Sequence, residues 1–196
     1  MFNAKLIYEN GSEILKKADC KKCRDKITVT LKKEDVGEGV KYVDVLSDMF
    51  SASAGGEGYM VIPTINGTYL CKYGEKKDVS YLSEVNIMPV FGVKKENEVF
   101  IAVGVKMQYD FRCGVAVKDG KYFAFARFML DGDAPYEDIE LEIYMLPVSA
   151  TYADMAKRYR RYQLERGACV PLKERVKNNG RLKYGAESVL VRIRQA

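Results

Sequence analysis

The chain reads as a mainly β protein, an antiparallel β-sandwich closed by a C-terminal α-helix. Three observations predict it: short runs that alternate apolar and polar side chains, turn chemistry between those runs, and one well-marked helical segment late in the sequence. With 47% apolar and 30% charged residues over 196 positions, the composition is that of a folded domain with a sizeable core rather than of a disordered chain.

The strand signals run from about residue 27 to residue 146. Ile27-Thr-Val-Thr-Leu31 and Lys41-Tyr-Val-Asp-Val-Leu46 alternate as half-buried strands do, with Val36-Gly-Glu-Gly39 supplying a turn between them. Tyr59-Met-Val-Ile62 and Thr68-Tyr-Leu-Cys71 flank Asn66-Gly67, which predicts a hairpin with positive φ at its turn. Met88-Pro-Val-Phe-Gly-Val93 and Val99-Phe-Ile-Ala-Val-Gly-Val105 flank Lys95-Glu-Asn-Glu98. Cys113-Gly-Val-Ala-Val117 and Tyr122-Phe-Ala-Phe-Ala-Arg-Phe128 flank Lys118-Asp-Gly-Lys121, and Asp-Gly between two β-rich runs is a strong hairpin signal. Ile139-Glu-Leu-Glu-Ile-Tyr-Met145 places Ile139, Leu141, Ile143 and Met145 on one face and turns Glu140 and Glu142 to solvent. These runs amount to roughly nine or ten strands in an antiparallel sandwich. Ser51-Ala-Ser-Ala-Gly-Gly-Glu-Gly58 reads as a small-residue connection whose glycines also permit close approach to a ligand.

The helix begins at Thr151, a capping residue, with Asp154 three residues on. Tyr152, Met155, Ala156, Tyr159, Tyr162 and Gln163 share one face, Gly167 stops the helix, and Pro171 lies beyond it. A second short helix is expected over Leu172–Asn178, and Val189–Arg194 has the pattern of a strand. The domain reading is therefore a sandwich over 1–150 and a helix with a basic extension over 151–196. From Thr151 onward there are twelve Lys/Arg against four Asp/Glu, whereas the preceding residues carry 20 against 23. Such a segment suits a solvated helix face and a surface that meets another domain. Nucleic-acid binding is the disfavoured alternative, because the basic residues are interleaved with apolar ones at core spacing.

Several chemistries are excluded or weakened. With no histidine, neither a Ser-His-Asp nor a Cys-His mechanism can be assembled, and the commonest metal ligand is missing. Five cysteines, at 20, 23, 71, 113 and 169, are an odd and scattered set, read as reduced and favouring a cytoplasmic setting. Cys20-Lys-Lys-Cys23 has the spacing of a zinc knuckle or redox pair but lacks the other two ligands that a structural zinc needs. The carboxylates from Asp131 to Glu142 lack regular calcium-loop spacing and read as loop and solvent face. No phosphate loop, cofactor motif, signal peptide or membrane-spanning apolar run is expected. The fourteen tyrosines make carbohydrate the ligand class to consider, since an aromatic face matches the apolar face of a sugar ring. Tyr69, Tyr73, Tyr81 and Tyr109 are the candidate contacts.

Three segments also carry a resemblance. Ser51-Ala-Ser-Ala-Gly-Gly-Glu-Gly-Tyr-Met-Val-Ile-Pro63 resembles an AGxEGYxxxP stretch of large bacterial glycoside-hydrolase-like proteins. Met88–Val93 and Tyr152–Gly167 are similar to their following block and to the helix that leads out of their sandwich. Leu172–Asn179 and Val191–Arg194 resemble the run-in to a catalytic barrel, so the resemblance spans roughly 27–196. It implies a β-supersandwich, similar to galactose-mutarotase-like domains, preceding a (β/α)-barrel that supplies the catalytic acids. No catalytic residue is carried onto this chain, and a mutarotase-type enzyme is disfavoured for want of its histidine. The implied role is that of a non-catalytic, structural domain that contacts carbohydrate and packs on a C-terminal barrel. A stand-alone carbohydrate-binding module is the alternative.

Overall fold

The computed structural model describes residues 1–53, 55–64, 67–72, 81–82, 88–106, 110–118 and 120–178, without the side chains of residues 69, 81, 82, 118, 172 and 178. The chain divides into two compact units, Met1–Ala156 and Lys157–Ala196.

The first unit is a two-sheet antiparallel sandwich. Its strands are β1 (Phe2–Tyr8), β2 (Glu13–Lys17), β3 (Asp19–Cys23), β4 (Lys26–Leu31), β5 (Val40–Ser47), β6 (Ser51–Ser53) and β7 (Tyr59–Thr64). They continue with β8 (Gly67–Lys72), β9 (Tyr81–Leu82), β10 (Val90–Lys94), β11 (Val99–Gly104), β12 (Phe111–Lys118), β13 (Lys121–Met129) and β14 (Ile139–Leu146). Sheet A has the order β2-β1-β5-β13-β12-β9, with β6 also paired to β13, and sheet B the order β3-β4-β14-β11-β10-β7-β8. The chain crosses between sheets after each hairpin or near-hairpin: β1–β2 to β3–β4, then β5–β6, β7–β8, β9, β10–β11, β12–β13 and β14. Within the hairpins the short connections require antiparallel pairing, and the long-range pairs β1–β5, β5–β13, β4–β14 and β11–β14 are antiparallel as well.

The hairpins follow the turn chemistry. Lys94 pairs with Val99 across the four-residue loop, which the Lys95–Glu98 ion pair closes at 2.8 Å. Lys118 pairs with Lys121, and Gly120 has φ +70°, the left-handed conformation that a two-residue turn demands. In the third hairpin Thr64 pairs with Gly67, which opens β8 with φ +128°, and the connection between them lies outside the described residues.

The core is made by the alternation. Leu6, Val43, Val45, Ala126 and Phe128 from sheet A face Val29, Phe91, Phe100, Leu141 and Ile143 from sheet B, all nearly or fully buried. Phe50 sits between the sheets, its ring 5.8 Å from Phe2, 5.4 Å from Phe91 and 5.9 Å from Phe100. Edge-to-face aromatic contacts of this length add to the stabilisation from area burial.

Three expectations are corrected. First, β1–β3 lie in the first 26 residues, where no strand is expected; β2 and β3 are almost wholly exposed edge strands, so they lack the alternation of a buried face. Second, Ser51–Ser53 is not merely a connection but pairs with β13. Third, Glu142 does not face solvent: it is 7% exposed and accepts from Lys26 Nζ at 2.9 Å and from the Tyr144 hydroxyl at 2.5 Å. Around it the outer face of sheet B is apolar, with Val99, Ile101, Val103 and Tyr144 buried. A buried carboxylate on such a face requires those partners.

Helix α1 (Tyr152–Glu165) starts as the capping pair predicts: Asp154 Oδ2 accepts from the Thr151 backbone N–H at 3.0 Å and from its hydroxyl at 2.9 Å. Within the first unit, Met155 of α1 lies over Gly92, and the Tyr59 hydroxyl accepts from the Tyr152 N–H at 3.1 Å. Tyr152 and Ala156 are exposed, so the buried stripe is narrower than expected. It consists of Met155, Tyr159 and Tyr162, the i, i+4, i+7 positions.

In the second unit, the Tyr159 and Tyr162 rings stack at 6.1 Å. Burial pushes the Tyr159 phenol above its ordinary pKa, against a hydrogen bond from Gln163 that lowers it. The helix stops at Gly167 (φ +69°): its N–H donates to Leu164 O and the Ala168 N–H donates to Gln163 O, the paired bonds of a Schellman motif. Helix α2 occupies Leu172–Asn178 as expected. The strand read over Val189–Arg194 lies outside the described residues.

Candidate functional site: a groove on the outer face of sheet A

The tyrosines singled out by composition are placed as follows. Tyr69 stands on β8, at one end of sheet B, paired with Ile62; Tyr81 stands on β9, at the corresponding end of sheet A, paired with Val115. Tyr73 and Tyr109 lie outside the described residues. The two described tyrosines thus belong to different sheets.

The described residues do form a groove elsewhere, of about 610 Å³, on the outer face of sheet A. Its strands supply it by register. Because Ala4, Val43, Val45, Ala124 and Ala126 point into the core, their neighbours Lys5, Asp44, Phe123, Phe125 and Arg127 point outward. Asp44 is paired with Lys5 on β1 on one side and with Arg127 on β13 on the other. Gly114 and Ala116 of β12 stand opposite Phe125 and Phe123, and small residues there leave room over the sheet.

The centre of this face is an ion pair. Arg127 Nε and Nη2 donate to Asp44 Oδ1 and Oδ2 at 2.7 and 2.8 Å, a two-pronged, planar arrangement. Asp44 is only 5% exposed although it lies on an outer face. The guanidinium lies over the Tyr42 ring, its Cζ 3.8 Å from the centroid, with Phe125 at 5.3 Å. Burial works against the Arg127 charge, but the hydrogen bond and charge of Asp44, with a contribution from Tyr42, carry its pKa above its ordinary value. Lys5, beside Asp44 in the groove, is itself paired with Glu13 at 2.9 Å. Asn3, Leu46, Ser47 and Asp48 complete the central lining. The result is a rigid polar pair set among aromatic and aliphatic side chains.

Other sequence candidates are dispersed. Cys20 and Cys23 are free and exposed on β3, where a separation of three residues turns them to opposite faces, roughly 10 Å apart along the strand. That is beyond the reach of a disulfide between them. Asp138 is engaged by the Lys33 N–H and by Lys32 Nζ, both at 3.1 Å, and Glu140 faces Lys106 at 3.8 Å. Among the described residues no three Cys, Asp or Glu gather as metal ligands, and no helix is long and apolar enough to cross a membrane.

Comparison with known proteins adds to this geometry. No family model and no curated protein sequence matches the chain. Solved structures do: the α-N-acetylgalactosaminidase NagBb from Bifidobacterium bifidum, in complex with GalNAc, superposes with a TM-score of 0.63 at 13% identity, covering 91% of this chain and 36% of that one. The same enzyme in its Gal-NHAc-DNJ complex gives 0.62 at 14% identity, covering 91% and 30%. The chain therefore shares its fold with a segment of that enzyme, and spans only about a third of its length.

Proposed function

We propose that the chain is the non-catalytic sandwich domain of a larger glycoside-hydrolase-like protein, one that supports a catalytic barrel and contacts carbohydrate. The observation that carries this reading is the shared fold: 91% of the chain superposes on about a third of an α-N-acetylgalactosaminidase. The absence of histidine and the resemblance of Leu172–Asn179 and Val191–Arg194 to the run-in to a barrel support it further. In this reading 1–150 is the sandwich and 151–196 leads toward the barrel, with the basic balance of that segment serving the joint.

The reading frame in the source DNA tests the domain part. Continuation past Ala196 into alternating strand and helix signals is expected; a stop codon directly after it would overturn the assignment. Incubation of the purified 196-residue protein with aryl glycosides, aryl α-N-acetylgalactosaminide among them, tests the non-catalytic part. No turnover is expected. Turnover abolished by Asp44→Asn or Asp48→Asn would place the catalytic acids in this chain and sink the proposal.

A further inference from the structure

We infer that the groove on sheet A is a binding site for a neutral saccharide, with a sugar ring face laid on Phe123 and Phe125 and its hydroxyls held by the Asp44–Arg127 pair. The choice of carbohydrate rests on the functional reading above; the place and the charge class rest on the groove itself. At about 610 Å³ it falls within the range of small-ligand sites. Its lining is amphipathic in the way a sugar is, with the aromatic side chains Phe123 and Phe125 beside the donor–acceptor pair of Arg127 and Asp44.

Charge selects the ligand class. Both cationic side chains of the lining are already ion-paired, Arg127 with Asp44 and Lys5 with Glu13, so the groove offers no unengaged cationic side chain to a phosphate or carboxylate. Hydrogen-bonding capacity remains. Two of the five guanidinium donors go to Asp44 and Tyr42 engages the guanidinium as well, which leaves donors over, and a carboxylate oxygen can accept more than one hydrogen bond. One hydroxyl of a vicinal diol can donate to the carboxylate while its neighbour accepts from the guanidinium. The pair is held in place before any ligand arrives, by the Tyr42 stack and by direct strand register, so binding orders few side chains. A nearly buried ion pair adds little to stability compared with an apolar pair. Its presence at the centre of an outer face is accounted for by recognition.

The test is an NMR titration of the whole chain with N-acetylgalactosamine, lactose and maltose as neutral probes, and with glucuronic acid and a nucleoside diphosphate as anionic ones. At least one neutral sugar is expected to shift the amides of Asn3, Asp44, Phe125 and Arg127. Phe125→Ala should weaken that sugar roughly tenfold, as loss of a stacking face does. Ala116→Trp, which fills the groove from the outer face without altering the inter-sheet core, should abolish it. Absence of shifts with every neutral sugar, binding indifferent to Ala116→Trp, or binding of the anionic probes alone would overturn the inference. The two proposals fail separately: a silent groove leaves the reading-frame result untouched, and a stop codon after Ala196 leaves a sugar-bound groove standing.

Discussion

Asp44 and Glu142, the two buried charged residues among those described, sit on the outer faces of opposite sheets and are satisfied in different ways. Asp44 is met from the neighbouring strand by a planar guanidinium in direct register, both oxygens engaged, with the cation clamped on Tyr42. Glu142 is met by the tip of Lys26, whose side chain is 38% exposed, and by Tyr144 two residues along its own strand. The first arrangement lines a groove; the second lies among buried apolar side chains. The contrast teaches that burial of a carboxylate does not by itself mark a site. What distinguishes Asp44 is that its partner is rigid and that the pair lines a groove.

The sharpest way to break this comparison is to remove each partner. Arg127→Ala leaves Asp44 enclosed without its cation, and should cost about 2–4 kcal/mol in urea unfolding, reduced from the full value for a buried pair because Arg127 retains some exposure. Arg127→Lys should recover only part of that, since an ammonium lacks the planar fork that engages both oxygens. Lys26→Ala should cost less, about 1 kcal/mol, because the Lys26 end of the pair is partly exposed and the Tyr144 hydroxyl remains. Double-mutant cycles on the two pairs measure the difference directly. Equal coupling energies would show that the flat guanidinium contributes nothing beyond its charge.

Next in size is a steric probe of the sheet B face. A Cβ on Gly92 would lie 2.5 Å from Met155 Sδ, so Gly92→Ala forces the thioether to move and should destabilise by about 1 kcal/mol. In a Met155→Ala background the same substitution should cost nothing measurable. If the penalty is the same in both backgrounds, the close approach of α1 is not what requires glycine there.

How much of this was legible depended on whether the information was local. The alternation of Ile139–Met145 and the chemistry of Lys95–Glu98 and Lys118–Lys121 are local, and the strand face and both hairpins follow them. The Thr151 cap and the Gly167 stop are local as well, and α1 begins and ends on them. The groove is not. Asp44 and Arg127 lie 83 residues apart, and alternation assigns each a face without naming its partner. In Tyr122–Phe128 both faces carry aromatic residues, so Phe123 and Phe125 are indistinguishable by type from Tyr122 and Phe128, which go inward. The edge strands β2 and β3 bury neither face, and no periodicity can report a face that packs on nothing. Glu142 misleads for the complementary reason: strict alternation turns it outward, correctly, but what covers the outward face is tertiary information.

Asp138 supplies the exposed reference against which the two buried acids are judged, and the smallest predicted effect. The hydrogen bond from the Lys33 N–H, followed by that from Lys32, holds its carboxyl below the ordinary 3.8. A group whose pKa is depressed on folding stabilises the protein fully above its unfolded value and loses that contribution as pH falls through the folded one. Asp138→Asn should therefore lower the unfolding midpoint slightly near neutral pH, and the difference from the parent should vanish well below 3.8. Arg127→Ala should behave otherwise in magnitude, because there the missing partner leaves an enclosed carboxylate rather than a solvated one. Thermal unfolding of both variants across the acid range separates the cases. An Asp138→Asn penalty as large as that of Arg127→Ala would mean that enclosure by the groove contributes nothing to the strength of the Asp44 pair.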